Sequence, residues 1–242
     1  VTYGDAAPTL TFNVNGWKNS QSASTAAGYV APTCSSSYTT TSVAGTPVAI
    51  TCSGGSADNY IFNTSATAAI TIAKISTLTI TAGSPSAINY GGTTPTNSFS
   101  ATGKATNDVI SGVTYTYSGT SGTSYGPSTT APVLPGDYLI TPSAANFSTG
   151  SSSNYTTITY VAGTWRINAA SLTITAASPA TIAYGSSKAS DTFTATGLNA
   201  ADSISGLTYT YNGTGSTIYG PSTTAPTNAG TYSITSSAAT FA

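Results

Sequence analysis

Two cysteines, six acidic residues and sixteen tyrosines are the groups in this 242-residue chain that could do chemistry. Cys34 and Cys52 could form a redox or metal pair, or a structural disulfide. A chain without histidine cannot complete a tetrahedral zinc site from two cysteines, and their spacing is not the C-x-x-C of redox motifs. Both fall on predicted strands of one segment, so a disulfide in an oxidising compartment is the expectation. Its loop of eighteen positions would contribute about 3 kcal/mol. Every acidic residue is an aspartate: Asp5, Asp58, Asp108, Asp137, Asp191 and Asp202. Without His or Glu, a Ser or Thr nucleophile lacks its usual activating base. No two aspartates lie close in sequence, and nothing approaches a calcium-loop pattern. The expectation is a protein that is not an enzyme and uses no metal or cofactor.

The tyrosines are the remaining candidates. Tyr125 and Tyr219 each sit in a YGPS segment with the look of a loop, where a ring could stack on a sugar. They are the candidate ligand-contact positions. Tyr115, Tyr117 and Tyr138 alternate with polar residues and read as core, as do Trp17 and Trp165. The N-x-[ST] sites at Asn63, Asn146, Asn154 and Asn212 are expected by chance in a chain more than one third Ser and Thr.

The elements that position these residues are strands. Leu, Glu, Gln, Lys, Arg and Met are scarce or absent, while Thr, Val, Ile and Tyr abound. Gly (24) and Pro (12) punctuate the chain at the intervals that short strands and tight turns require. In LTITA, Leu78 and Ile80 face one way while Thr79 and Thr81 face the other, as an antiparallel sheet with one wet face needs. Charged residues are 5% of the chain and the net charge is −1. Lys18, Lys74, Lys104, Arg166 and Lys188 are scattered singly, which excludes the basic cluster that nucleic-acid binding draws on. No apolar run is long enough to span a membrane.

An internal repeat organises the chain. Residues 78–148 align without a gap on 172–242, with 41 identities in 71 positions. Asp108 and Asp202 fall at equivalent positions and read as structural turn residues. Residues 1–77 are a more distant copy: Tyr3-Gly4 and Phe12 keep the spacing of Tyr90-Gly91 and Phe99, and residues 59–82 parallel 154–176. The expected domains are a first repeat (1–77) without its opening strand, a complete second repeat (78–171) and a third (172–242) without its closing strands. About seven strands in each full repeat suit a β-sandwich. The YGPSTTAP segment, absent from the first repeat, is expected as a protruding loop or an added hairpin.

The repeat-opening LTITA, the Tyr-Gly after it, Gly136-Asp137-Tyr138 with Gly230-Thr231-Tyr232, and the closing NYTTITYVAGTWRINAA together resemble the MBG domain of the YGX type. That family occurs in tandem in large bacterial surface and secreted proteins. The first repeat departs from the pattern with Pro47 near where the others have tyrosine. The resemblance implies immunoglobulin-like sandwiches and an extracellular, cell-surface setting, and it supplies no catalytic residues. The fold expected is therefore all-β: tandem immunoglobulin-like β-sandwiches arranged as an elongated rod.

Near-identical copies without an obvious site suit a structural stalk or filament segment. The alternatives are adhesin repeats that bind a glycan or surface protein through exposed loops, and an accessory module of an extracellular enzyme. Expected partners are neighbouring repeats or copies of the chain, head to tail. A strand missing from each terminal repeat has two readings: a longer chain supplies it, or a neighbouring copy donates it.

Overall fold

The computed structural model describes residues 1–242. It is all-β, with fourteen strands and a single 3-10 turn at Ser152–Asn154. No helix is long and apolar enough to cross a membrane. The chain divides into two compact units: Val1–Pro85, Thr96–Ala131 and Tyr138–Trp165 form the first, and Ser86–Pro95, Pro132–Asp137 and Arg166–Ala242 the second. The units cut across the sequence period. The first holds the opening copy together with most of the second.

In the opening copy β1 (Val30–Ser36), β2 (Val48–Ser56) and β3 (Ala68–Ile70) make an antiparallel sheet in that order. Cys34 lies directly opposite Cys52 in the β1–β2 register, and the two are joined by a disulfide. The chain start adds a parallel bridge: Tyr3 N–H donates to the Ala73 carbonyl (2.9 Å) and Ala73 N–H to that of Val1 (2.9 Å). Tyr3, Tyr38, Ile70 and Ile72 are buried in the core this encloses.

The middle copy forms two sheets. One has the order β6-β4-β9, from β4 (Ile75–Ala82), β6 (Phe99–Thr102) and β9 (Tyr155–Val161). The other has the order β5-β10-β8-β7, from β5 (Ile88–Asn89), β7 (Val109–Thr120), β8 (Gly136–Thr149) and β10 (Gly163–Asn168). The central strand β4 runs antiparallel to β6 and parallel to β9. Its alternation is read out as expected: Leu78 and Ile80 are 0% exposed, and Phe99, Ile110, Val113, Phe147, Ile158 and Tyr160 pack around them. Full burial of such a side chain stabilises by about 1.5–3 kcal/mol.

The second unit carries the third copy. Here β11 (Thr173–Ala176) pairs antiparallel with β12 (Phe193–Thr196), and β13 (Ile204–Gly213) with β14 (Tyr232–Phe241). A β-bulge interrupts β14, where Ala238 takes a left-handed φ of 53°. Its equivalent Ala144 in β8 has φ 48°. An alanine held there in both copies marks a strand bent on purpose.

The YGPS segments fold back as short added hairpins. Tyr117 and Ser128 exchange two backbone hydrogen bonds (2.7 and 3.0 Å), and Tyr211 and Ser222 do the same (2.8 and 3.0 Å). Gly126 has φ +64°, and a Cβ there would stand 2.1 Å from the Tyr117 carbonyl oxygen; at Gly220 (φ +69°) the clash with Tyr211 is 2.3 Å. Only glycine allows this approach.

Candidate functional site: a tyrosine–aspartate junction

Asp108 is a carboxylate 1% exposed, in a chain that buries almost no other charge. A tight turn places it, its N–H donating to the Ala105 carbonyl at 3.1 Å. Two phenols serve its two oxygens. Tyr3 of the first copy donates to Oδ1 and Tyr155 of the second to Oδ2, each at 2.6 Å. The Tyr155 hydroxyl in turn accepts the Ala105 N–H at 3.1 Å, and its ring meets that of Tyr3 edge-on at 6.5 Å. Beside them the buried Asn154 accepts the Ala44 N–H through Oδ1 at 3.1 Å. Gly4, at φ +89°, brings the backbone within 3.2 Å of the Ala105 Cβ, measured from where its own Cβ would stand.

A buried anion costs several kcal/mol unless it is hydrogen-bonded, and short bonds to a carboxylate are among the strong ones. No cation contacts this carboxylate; the Lys104 ammonium donates instead to the carbonyls of Ala105 and Asp108. The first and second copies are thus held by a polar lock whose donors come from both.

The electrostatics follow from burial. Loss of water around Tyr3, with the adjacent Asp108 carboxylate second, pushes its phenol up to about 12. Tyr155 is pushed up further for the same two reasons, burial first. A phenol whose folded pKa is raised contributes stability that is complete below its unfolded value near 10 and is lost as pH rises through the folded value. The denaturant midpoint is therefore expected to hold to about pH 10 and fall from there to beyond pH 12. Tyr3→Phe should flatten that fall. Urea titrations at stepped alkaline pH check it, and equal slopes in both proteins would contradict the lock.

The same arrangement recurs in the second unit. Tyr90 is set by its N–H to the Asn168 carbonyl (2.8 Å), as Tyr3 is by Ala73, and its hydroxyl donates to Asp202 Oδ1 at 3.0 Å. That hydrogen bond, then burial, raises the Tyr90 phenol. Asp202 closes its turn onto Asn199 at 3.0 Å, and Gly91 (φ +80°) faces Asn199 as Gly4 faces Ala105. The first copy repeats half of it with a neutral substitute. Gln21 turns onto Lys18 (3.0 Å), Tyr60 donates to Gln21 Oε1 (2.6 Å), and Lys18 N–H donates to the Tyr60 hydroxyl (3.1 Å). Trp17 packs edge-on against Tyr60 with ring centres 5.0 Å apart.

Sequence reasoning recognised the Tyr-Gly pairs and the equivalence of Asp108 with Asp202, but not that they meet. A usable signal was present. Gln21, Asp108 and Asp202 each stand eighteen residues after a Tyr-Gly tyrosine, Tyr3, Tyr90 and Tyr184 respectively. The bond, however, joins the tyrosine of one copy to the acceptor of the next, which spacing within a copy does not reveal.

Each candidate ligand-contact tyrosine lies in its own YGPS hairpin. Tyr125 donates to the Thr130 carbonyl (2.8 Å) and stands edge-on to Tyr138 at 5.7 Å; Tyr219 donates to Thr224 (2.7 Å) and stands edge-on to Tyr232 at 5.7 Å. Further in, the core tyrosines are tethered in parallel ways. Asn97 donates to the Tyr117 hydroxyl (2.6 Å), while the equivalent Tyr211 donates to Asp191, which also accepts from Lys188 (2.7 Å). Burial is the largest single influence and opposes both charges of that pair, but their mutual hydrogen bond, their hydrogen bonding with Tyr211 and the Coulombic attraction together outweigh it. Lys188 is held above its ordinary value and Asp191 below. No group of three or more His, Cys, Asp or Glu side chains comes together.

No curated protein and no solved structure matches the chain. A family model does match part of it. Residues 1–69, the segment that carries Tyr3-Gly4, the disulfide and the Gln21–Tyr60 pair, match the model of the family described as MBG domain (YGX type).

Proposed function

We propose that the chain is a non-catalytic structural segment of a bacterial extracellular surface protein, in which successive copies stack into an elongated stalk or filament. The observation that carries this reading is the recurrence of one junction. A Tyr-Gly of one copy closes on the turn carboxylate of the next at Tyr3–Asp108 and again at Tyr90–Asp202. A device repeated at each step suits an array whose role is to set length. The disulfide and the surface rich in Ser and Thr accord with an extracellular setting. The hydroxyls of Tyr125 and Tyr219 are engaged by their own hairpins, which favours the structural reading over adhesion through those loops.

Small-angle scattering tests it. A compact globule of this length would have a radius of gyration of roughly 18 Å. The expected value lies well above that, and a measurement near 18 Å would overturn the stacked arrangement. A glycan array with the same protein is expected to be blank. Saturable sugar binding lost on Tyr125→Ala and Tyr219→Ala would turn the reading to adhesion.

A further inference from the structure

The chain passes from the opening copy into the middle one along a single extended path. Ala73 is bridged in parallel to Thr2, and β4 begins just beyond it at Ile75. β4 then runs parallel to β9, in register from Ile75–Tyr155 to Thr81–Val161. Behind this ladder lies a second, shorter parallel pair, with Ile88 and Asn89 of β5 opposite Ile167 and Asn168 of β10. Each time, the segment by which the chain enters a copy lies parallel to one by which it leaves. The pairs β1–β2, β2–β3, β4–β6, β11–β12 and β13–β14 are all antiparallel.

Strand direction decides how tension acts on such a ladder. In a parallel pair the N-terminal end of one strand and the C-terminal end of the other lie at opposite ends. Tension drawing on β4 from Ala73 and on β9 from β10 therefore slides the two strands along each other. Every interstrand hydrogen bond is then strained at once, whereas an antiparallel hairpin pulled at its open end loses them one by one. Side chains add to the resistance. Leu78 and Ile80, both 0% exposed, stand opposite Ile158 and Tyr160. A slip of one residue would turn that matched set toward the wrong face. Tyr155, at the head of β9, is also pinned by its hydrogen bond to Asp108 Oδ2 (2.6 Å).

We propose that the β4–β9 ladder is a shear clamp, and that this segment bears tension along its polypeptide as well as setting length. The Cys34–Cys52 hairpin and the YGPS hairpin of the middle copy hang off the path from Thr2 through Ala73 to β4 and β9. They carry no tension until a ladder parts. Forced unfolding is governed by the unfolding rate, so the clamp acts on that rate more than on equilibrium stability. This rests on the reading of the chain as a stalk segment for the source of the tension, and names how each copy withstands it.

The test is single-molecule force spectroscopy on the intact chain, held by handles fused to its two ends. Parting of the clamp should release at least residues 83–154, about 240–260 Å of extended chain. In a second geometry the handles sit on reactive side chains placed at Val109 and Ser148. These are neighbours on β7 and β8, which run antiparallel with Thr116 beside Thr141, so tension there peels the strands apart. The end-to-end geometry is expected to need the higher force. Ile158→Ala and Phe99→Ala each remove a side chain packed on the Leu78 core, one from the clamp strand β9 and one from β6. At a fixed end-to-end force Ile158→Ala should rupture roughly tenfold faster or more. Phe99→Ala should stay within about twofold of the parent, because the β6 contacts are still made as β9 slides away. Equal rupture forces in the two geometries would overturn the proposal, as would equal acceleration by the two variants. A weak ladder in an elongated chain would sink the clamp alone, whereas a compact radius of gyration would sink the stalk reading whatever the force.

Discussion

Asp108→Ala is expected to lower the unfolding free energy by about 3–5 kcal/mol, the range for stripping one partner from a buried charged network. Both phenols that lose their acceptor sit in the interior, Tyr3 at 3% and Tyr155 at 4% exposure. Each unsatisfied buried hydroxyl costs about 1–3 kcal/mol. The space vacated by the carboxylate lies against Gly150, whose Cβ position is 2.2 Å from Asp108 Oδ1, so the backbone cannot fill it without rearranging. Asp108→Asn should cost less, since the amide keeps one acceptor and can donate to the second phenol oxygen. Asp202→Ala serves as the internal control. It removes the acceptor of a single phenol, at 3.0 Å, from a half-buried residue, and about 1 kcal/mol is expected. Urea denaturation of the three variants gives the ordering. Equal losses at positions 108 and 202 would show that the double-phenol lock is not what stabilises the first unit. A cycle with Tyr3→Phe sharpens the result, because partners in one network are non-additive.

Leu78→Ala is expected to cost about 3–4 kcal/mol, and Leu172→Ala about 1 kcal/mol, although the two leucines occupy the same place in nearly the same sequence. Leu78 is 0% exposed between β6 and β9, with Phe99, Ile158 and Phe147 around it, so its truncation leaves a cavity. Leu172 lines an open cleft and already meets water, so truncation removes partial burial and creates no enclosed void. The measurement is again equilibrium unfolding, with the two compact units followed separately by hydrogen exchange. A cost for Leu172→Ala that equals that of Leu78→Ala would show the cleft to be closed.

Much of the fold was legible because its causes are local. Alternation such as Leu78-Thr79-Ile80-Thr81 shows directly as buried and half-buried faces of β4. The two cysteines, expected on two strands of one repeat, face each other across the neighbouring β1 and β2. The 94-residue repeat is reproduced down to the left-handed φ at Ala144 and Ala238. The YGPS segments were readable as loop or hairpin but not as one of the two, since the fold-back onto Tyr117 and Tyr211 depends on backbone bonds to a strand several residues away.

By itself, then, the amino-acid order determined the all-β class, the period, the disulfide and the poverty of acid–base chemistry, all of which follow from side-chain type, alternation and counting. Only the tertiary structure decided that Asp108 is a buried lock and not a surface turn, and that Tyr3 is its partner more than a hundred residues away. The physical reason is the same in each case. Burial and hydrogen bonding belong to pairs of elements brought together by folding, and a residue's own sequence neighbours do not specify which element, if any, lies across from it.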